Sequence, residues 1–389
     1  MIIMIYYISE QKLYTFNGTS TQEIPCQAIE QYKKNLKEIH QRKEWKSRGT
    51  GASFMGLTQD YEVNLEGIFP TDMVVLDGQK VIYSANLQGG NAIQNKAIDD
   101  LSQAEGLVLR NTEYQVYDMA YDKHRHRLAL SVDGQGHLER YLSILPIDGN
   151  RIQTITEGEC RDSNPCFDPK HADILYYDSC GLAYTHDDIV ESPRVINRLN
   201  LSTGDLETIL TDDKYDFFKP YIDQNGNLYV IRRPYQGRNL ASSPMTTFKD
   251  IIFAPVKLLK AMFGWLDFFT QRYSGETLKT SGANPAKVKQ QSEEERFIEG
   301  NLLKVHQNRQ KSQQDGDKFI GVIPKSWELV KYTPSGEMSI LKKGVMAFAI
   351  DGENIIYSNG QYIIKQQADS SEQMLVEAKW VSKIRIPSL

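Results

Sequence analysis

Residues 162–177, Asp162-Ser163-Asn164-Pro165-Cys166-Phe167-Asp168-Pro169-Lys170-His171-Ala172-Asp173-Ile174-Leu175-Tyr176-Tyr177, decide the fold. They read as a strand, an Asp-Pro turn and a second strand of Ile, Leu and Tyr. An aspartate suits such a turn because its carboxylate accepts backbone N–H bonds, while a following Gly or Pro sets the dihedral. The unit recurs along the chain. Met73-Val74-Val75-Leu76-Asp77-Gly78 leads into Val81-Ile82-Tyr83, and Met119-Ala120-Tyr121-Asp122 leads into Leu128-Ala129-Leu130. Pro220-Tyr221-Ile222-Asp223 leads into Leu228-Tyr229-Val230, and Phe348-Ala349-Ile350-Asp351-Gly352 into Ile355-Ile356-Tyr357. Aspartates 77, 122, 168 and 223 are spaced by 45, 46 and 55 residues. The next, Asp351, follows 128 residues later, an excess of roughly 80 over a blade length of about 40–50.

A second hairpin follows each first one. Ser143–Gly149 turns into Gln153-Thr154-Ile155, Arg198–Gly204 into Glu207–Leu210, and Lys331–Gly336 into Met338–Leu341. Looser versions span Ala97–Leu109 and Ile364–Val376. Four strands per unit, none able to bury its faces alone, is the logic of a propeller blade. The termini complete the count. Ile3–Ile8, Lys12–Phe16 and Thr21–Ile24 are three strands lacking a first, and Trp380–Ile386 is one strand left over. Joined, they make a sixth blade and remove the open sheet edges that invite aggregation. The expectation is an all-β, six-bladed β-propeller over residues 1–389, closed by its N- and C-terminal strands and carrying helical insertions.

Residues 162–177 resemble the WD40-like repeat of TolB-type propellers: a polar triplet, Pro, an aromatic, an Asp-Pro turn and an Ile-Ala-Tyr-like strand. Phe218-Lys219-Pro220-Tyr221-Ile222-Asp223-Gln224-Asn225-Gly226-Asn227-Leu228-Tyr229 is a second good copy, and the other three keep the turn aspartate without the proline. Similar repeats occur in the propellers of prolyl-oligopeptidase-like enzymes and in oligogalacturonate lyases. The resemblance therefore implies a fold and leaves the function open.

Two segments interrupt the repeat. Over 27–59, Ile29, Tyr32, Leu36 and Ile39 recur at helical spacing with Lys33, Lys34, Lys37, Glu38 and Arg42 on the other side, predicting a helix laid on the propeller flank. Over 237–325 an insertion begins with an amphipathic helix at 248–273, whose apolar arc includes Phe253, Leu259, Met262, Phe263, Trp265, Leu266 and Phe269. So wide an arc needs cover from the propeller, a membrane interface or a partner. Beyond it, Glu293–Ile298 reads as a short helix and Gln307–Lys318 as a mobile polar linker.

Composition narrows the function classes. The 389 residues carry 45 Lys and Arg against 50 Asp and Glu, an acidic balance that argues against non-specific nucleic-acid binding. Cys26, Cys160, Cys166 and Cys180 are too few and too irregularly spaced for a disulfide framework or zinc knuckle, so free thiols and a cytoplasmic location are expected. The apolar start lacks a basic n-region and cleavage site, so it reads as a strand. Peripheral attachment to the inner membrane surface through 248–273 stays open.

No Gly-x-Ser-x-Gly elbow occurs, and no catalytic, metal or cofactor residue is assigned. His124 and His126 sit among cations in a turn, and His186-Asp187-Asp188 with Glu191 reads as an acidic loop. Candidate binding residues fall in segments opening each blade's innermost strand, expected to be loops at the channel mouth: Asp72, Tyr117, Arg161, Asp162, Asn164, Tyr215, Asp216 and Lys219. Tyr and Arg favour binding hot spots, whereas the mixture of Asp with Lys and Arg equally suits pairing between blades. The expected role is a non-catalytic scaffold for protein–protein interaction with an unidentified protein partner. The alternative is a metal-assisted lyase or hydrolase acting on a saccharide at the channel mouth.

Overall fold

The computed structural model describes residues 4–47, 65, 67–76, 79–134, 138–149, 151–184, 189–239, 295–299 and 301–387. The chain opens with β1 (Ile5–Ser9), β2 (Lys12–Phe16), β3 (Thr21–Ile24) and α1 (Gln27–Ser47). Blade I is β4 (Phe69–Val75), β5 (Lys80–Leu87), β6 (Gly90–Ala97) and β7 (Gly106–Asn111). Blade II is β8 (Tyr114–Asp122), β9 (Arg127–Gly134), β10 (Tyr141–Pro146) and β11 (Gln153–Thr154). Blade III comprises β12 (Cys160–Phe167), β13 (Ile174–Tyr184), β15 (Val195–Asn200) and β16 (Leu206–Leu210), with β14 (Ile189–Glu191) on the extended end of β13. Blade IV begins with β17 (Tyr215–Ile222) and β18 (Leu228–Pro234). After β19 (Arg238–Asn239), β20 (Glu295–Ile298), β21 (Asn301–Lys304) and α2 (Val305–Gln314), it resumes with β22 (Glu328–Tyr332) and β23 (Met338–Lys343). Blade V is β24 (Ala347–Asp351), β25 (Asn354–Ser358), β26 (Tyr362–Gln366) and β27 (Glu372–Glu377); the last strand is β28 (Lys383–Arg385).

Blade VI is β28-β1-β2-β3, with Tyr7 opposite Ile384 and Ile8 opposite Lys383. The two chain ends therefore share one sheet, and the ring of six is closed.

Packing follows from the two-residue period of a strand. In β1, Ile5 and Tyr7 pack with blade V, whereas Tyr6 and Ile8 pack with blade I. In β5, Ile82 faces blade II, and Val81 and Tyr83 face blade VI. Both faces of each blade are thus covered, which is why inner strands read as unbroken apolar runs rather than alternating ones. The core divides into six clusters, one at each junction between neighbouring blades. A buried Leu, Ile or Tyr contributes about 1.5–3 kcal/mol, but half of each cluster belongs to the next blade, so no blade can retain its core alone.

The turn aspartates act as the repeat implies. Asp122 accepts the N–H groups of His124 and Arg125, Asp168 those of Lys170 and His171, and Asp223 those of Asn225 and Asn227. Asp77 lies outside the described residues. The pair His124 and His126 sits in the β8–β9 turn, where Tyr121 Oη lies 3.0 Å from His126 Nδ1.

Helix α1 lies in the wedge between blades VI and I. Its first N–H groups, Gln27 and Ala28, donate to the Glu105 carboxylate at 2.9 and 2.8 Å, a negative charge placed where the helix dipole favours it. Ile29 is buried, and Tyr32 and Leu36 pack on the same junction. Ile39, assigned to that apolar stripe from spacing, is instead 49% exposed. Residues 48–59 of the expected insertion lie outside the described residues.

The long insertion joins β18 to β22, which pair directly as second and third strands of blade IV. Two expectations within it are corrected. Residues 295–298 form a strand, not a helix: β20 pairs with β21 in a tight hairpin whose turn residue Glu299 has φ +47°. Strand β21 alternates buried and exposed, and Leu303 anchors it in the blade IV–V junction at 3% exposure. Residues 305–314 form α2 rather than linker. Polar bonds hold that segment: Asn308 Nδ2 donates to Val322 O, and Ser312 Oγ donates to Asp317 and accepts from Gly321 N. A stretch fixed by hydrogen bonds rather than apolar burial has a linker's composition. The 248–273 segment lies outside the described residues. Among the described residues no helix is long and apolar enough to cross a membrane.

In an antiparallel blade the first strand begins, and the second strand ends, at the same face. The long connections of blade III (185–194) and blade IV (235–327) both follow second strands. They consequently emerge on the face where all the innermost strands begin. The connection between first and second strands, on the opposite face, is six residues or fewer in blades I to V, as between Phe167 and Ile174.

Candidate functional site at the channel mouth

The candidate residues do not lie in loops. They sit inside the innermost strands, and Asp72, Tyr117, Asn164 and Lys219 lie at a β-bulge recurring in four blades: between Pro70 and Asp72, Val116 and Asp118, Ser163 and Cys166, and Phe218 and Tyr221. A bulge adds a residue to one strand and re-aims the backbone beyond it. In blades III and IV the bulged residue precedes a proline and has positive φ, +49° at Asn164 and +56° at Lys219. That conformation is disfavoured for residues with a Cβ, and strain of this kind concentrates at special sites.

The re-aimed N–H groups each meet a carboxylate of the preceding blade. Met119 N donates to Asp72 at 2.8 Å, Asn164 N to Asp118 at 3.2 Å, and Lys219 N to Asp178 at 3.0 Å. Cations complete the relay across the channel. Lys383 Nζ bonds Asp118 and lies 3.0 Å from Asn164 Oδ1 and 3.5 Å from Asp72. Arg385 donates to Asp72 at 3.1 Å and to Met73 O, and Lys219 Nζ donates to Met346 O and Ser382 O. Arg194 pairs with Asp178 at 2.6 Å. Arg233, fully buried, pairs with Asp216 at 3.0 Å between the rings of Phe218 and Trp327. The insertion contributes Glu299, 3.1 Å from Lys219 Nζ, while Glu299 O accepts from Arg233.

Five acids (Asp72, Asp118, Asp178, Asp216, Glu299) therefore meet five bases (Arg194, Lys219, Arg233, Lys383, Arg385). Burial would raise the Asp118 pKa, but the Lys383 ammonium outweighs it and holds the carboxyl below its usual range. Burial likewise works against Glu299 ionisation, yet Lys219, Arg194, Lys383 and Arg233 together hold it far lower still. For Asp178 burial wins over Arg194 and the pKa rises. Lys219 is lowered, by burial first and by the neighbouring Lys383. Each of the ten groups thus has an oppositely charged partner within ion-pair distance.

Other candidates have their side chains in different surroundings. Tyr117 and Arg161 lie on the rim: Tyr117 Oη donates to Asp133 at 2.6 Å, the Arg140 guanidinium stacks 3.6 Å from the Tyr117 ring centroid, and Arg161 pairs with Glu191. Burial and the Asp133 carboxylate push the Tyr117 hydroxyl up to about 12. Tyr215 joins the blade III–IV junction beneath Arg232. Asp216 belongs to the channel group. His186-Asp187-Asp188 lies outside the described residues, and among the described residues no three His, Cys, Asp or Glu side chains converge as metal ligands. All four cysteines are free.

Asp162 is the exception to charge pairing. It is buried at the blade II–III contact and accepts from Ser179 Oγ at 2.6 Å, and no ion pair to it occurs among the described residues. Burial pushes its pKa up from 3.8 to about 6, with Asp178 adding to the rise. A carboxyl raised in the folded state binds its proton more tightly there, so stability falls as pH climbs from about 4 through 6. The rise corresponds to about 3 kcal/mol of unfavourable ionisation at higher pH. Asp162→Asn is expected to stabilise the protein by about 1–3 kcal/mol at pH 8 and to have little effect near pH 4. Urea denaturation at the two pH values reads the difference; equal effects at both would show that ionisation at Asp162 is not the cause.

Sequence spacing pointed to Asp72, Asn164 and Lys219 because the repeat aligns them. It missed Asp118 beside Tyr117, Asp178 and Arg233 on second strands, Arg194 before β15, Glu299 in the insertion, and Lys383 and Arg385 in the closing strand. A signal was present for Lys383 and Arg385: two cations at alternate positions in a strand assigned to the ring's centre.

No family model and no curated protein sequence matches the chain. Among solved structures, TolB from Acinetobacter baumannii is similar over 99% of this chain and 66% of its own, at 8% identity and a TM-score of 0.50. The tricorn protease is similar over 97% of this chain and 33% of its own, at 10% identity and a TM-score of 0.46. An oligogalacturonate lyase from Vibrio parahaemolyticus is similar over 80% of this chain and 79% of its own, at 10% identity and a TM-score of 0.39. The chain thus spans less than two thirds of the first two chains. What the comparison with TolB shows is the fold: a TolB-like six-bladed propeller.

Proposed function

We propose that this protein is a non-catalytic propeller scaffold that docks a protein partner on the face where its innermost strands begin. The observation that carries the reading is the state of the channel: ten charged side chains satisfy one another there, with Glu299 of the insertion placed against Lys219. A channel occupied by its own ion pairs is a hub that fixes the blades. The ring of side chains outside it has the composition of a docking surface, with Tyr117, Arg140, Arg161 and the 47% exposed Tyr184 around blades II and III. Tyr and Arg are enriched where truncation costs binding energy, because both bury large areas with few torsions.

Photo-crosslinkers at Arg140 and Tyr184 are expected to trap a discrete protein adduct in cells of the source, while one at Asn225 in an opposite-face turn traps none. The pair Arg140→Ala and Tyr184→Ala, introduced with the crosslinker at Glu139, should lower adduct yield at least tenfold, the effect of about 1.4 kcal/mol of lost binding. Equal trapping from both faces would count against a directed scaffold. The reading extends to a membrane surface through 248–273. Replacing Phe263 and Trp265 by Glu should abolish co-sedimentation with anionic vesicles, and unchanged recovery would remove that extension.

A further inference from the structure

A second recess lies away from the channel, at the outer margin of blades IV and V. Its walls are α2, the 318–326 segment and β23, and it encloses about 630 Å³, within the range of small-molecule sites. Phe319, Ile323 and Ile340 supply apolar lining. Five ammonium groups border it, Lys311, Lys318, Lys325, Lys342 and Lys343, against three carboxylates. That local excess is opposite in sign to the chain's net charge of -5.

The carboxylates are already served. Lys325 alone bridges Asp315 at 2.8 Å and Asp317 at 2.9 Å. Glu372 is met by Lys342 and by the Tyr357 hydroxyl at 2.7 Å. Two of the five lysines thus contact all three acids, and the five ammoniums together outnumber the three carboxylates by two. Lys318 spends one of its three N–H donors on Glu372 O, Lys343 leans toward Glu328 at 3.5 Å, and the Lys311 ammonium has no hydrogen-bond or ion-pair partner among the described residues. An ammonium has three donors, so most of the donor capacity bordering the recess has no partner among the described residues.

We infer that this recess binds a small organic polyanion, a molecule carrying phosphate groups or clustered carboxylates, with its charges between α2 and the end of β23. The site is independent of partner docking at the channel rim. A phosphate ester and a polycarboxylate share the chemistry that five ammoniums recognise, and the test separates them.

Titration calorimetry of the full chain at low salt uses pyrophosphate and citrate as probes. Saturable one-to-one binding of either one is expected; the tighter of the two identifies the source. Binding should weaken at least tenfold in Lys311→Ala with Lys318→Ala, and also as salt is raised to about 0.5 M, since exposed charges are screened within a few ångströms there. Lys311→Ala alone, at an exposed helix position, keeps the test independent of any folding defect and should weaken binding about threefold. Lys12→Ala, on β2 of blade VI, should leave it unchanged. No saturable binding by either probe, equal loss in the Lys12 variant, or tighter binding by an octa-aspartate peptide than by both probes would overturn the assignment.

Discussion

A chain lacking residues 380–389 is expected to lose cooperative unfolding and to elute as a mixture of oligomers. The deletion removes β28, so Tyr6, Tyr7 and Ile8 lose their partners Arg385, Ile384 and Lys383. It also strips Val381 and Ile384 from the blade V–VI junction, where Ile5, Tyr7, Ile356 and Ile363 are packed. Two fully buried aliphatic side chains account for about 3–6 kcal/mol, comparable with the whole stability of a typical domain. The freed edge of β1, which carries Ile5, Tyr6, Tyr7 and Ile8, is the kind that pairs with other chains. Size-exclusion chromatography and urea melts of the truncated and full chains provide the comparison. A monomeric truncated chain with an unchanged midpoint would mean that the ends do not hold the ring.

The second large effect is expected at Lys383. Replacing it by Met keeps much of the side chain's length and removes its charge, leaving Asp118 buried without its main cation and weakening the field on Asp72. Breaking a buried pair from one side costs about 3–5 kcal/mol, because the remaining charge is desolvated and unpaired. Neutralising that charge should recover much of the loss, so Lys383→Met with Asp118→Asn is expected to be more stable than Lys383→Met alone. The pH dependence has a defined sign. In the natural protein Asp118 is held below its usual pKa, so its contribution is present above about pH 4 and lost as pH falls through the lower folded value. Without Lys383, burial raises the Asp118 pKa, and the variant should gain stability on going from pH 8 to pH 5. A double variant no better than the single one would show that Lys383 acts through packing.

Both predictions concern the same strand, for a physical reason. Lys383 and Arg385 lie on alternate residues of β28, two positions that share one side of a strand, and Ile384 between them turns into the blade V–VI core. One short strand therefore closes the ring by hydrogen bonding, fills an apolar junction and carries two of the five channel cations.

The number of blades, their boundaries and the sealing of the ring could be read in the amino-acid order. Turn aspartates and apolar runs are local properties, and a blade repeats them within about 45 residues. Strand boundaries such as Lys12–Phe16 and Thr21–Ile24 coincide with the spans read from pattern alone. The insertion was less legible. Residues 305–314 bury almost nothing apolar, and their helix depends on Asn308 and Ser312 reaching the 317–322 backbone and side chains. Hairpin β20–β21 is short, and its apolar anchor Leu303 has no periodic neighbours to announce it.

The candidate site divides in the same way. Its positions in blades I to IV follow from the repeat, which places Asp72, Asp118, Asn164 and Lys219 at equivalent bulges. Their partners do not: Lys383 is 265 residues from Asp118, and Glu299 enters from a non-repeating hairpin. By itself the sequence determined a closed ring of six small sheets, because each strand carries its own pattern. Only the tertiary structure decided that the charged residues at its centre neutralise one another, because Coulomb pairing depends on distance in space and the chain brings those groups together only when the circle is complete.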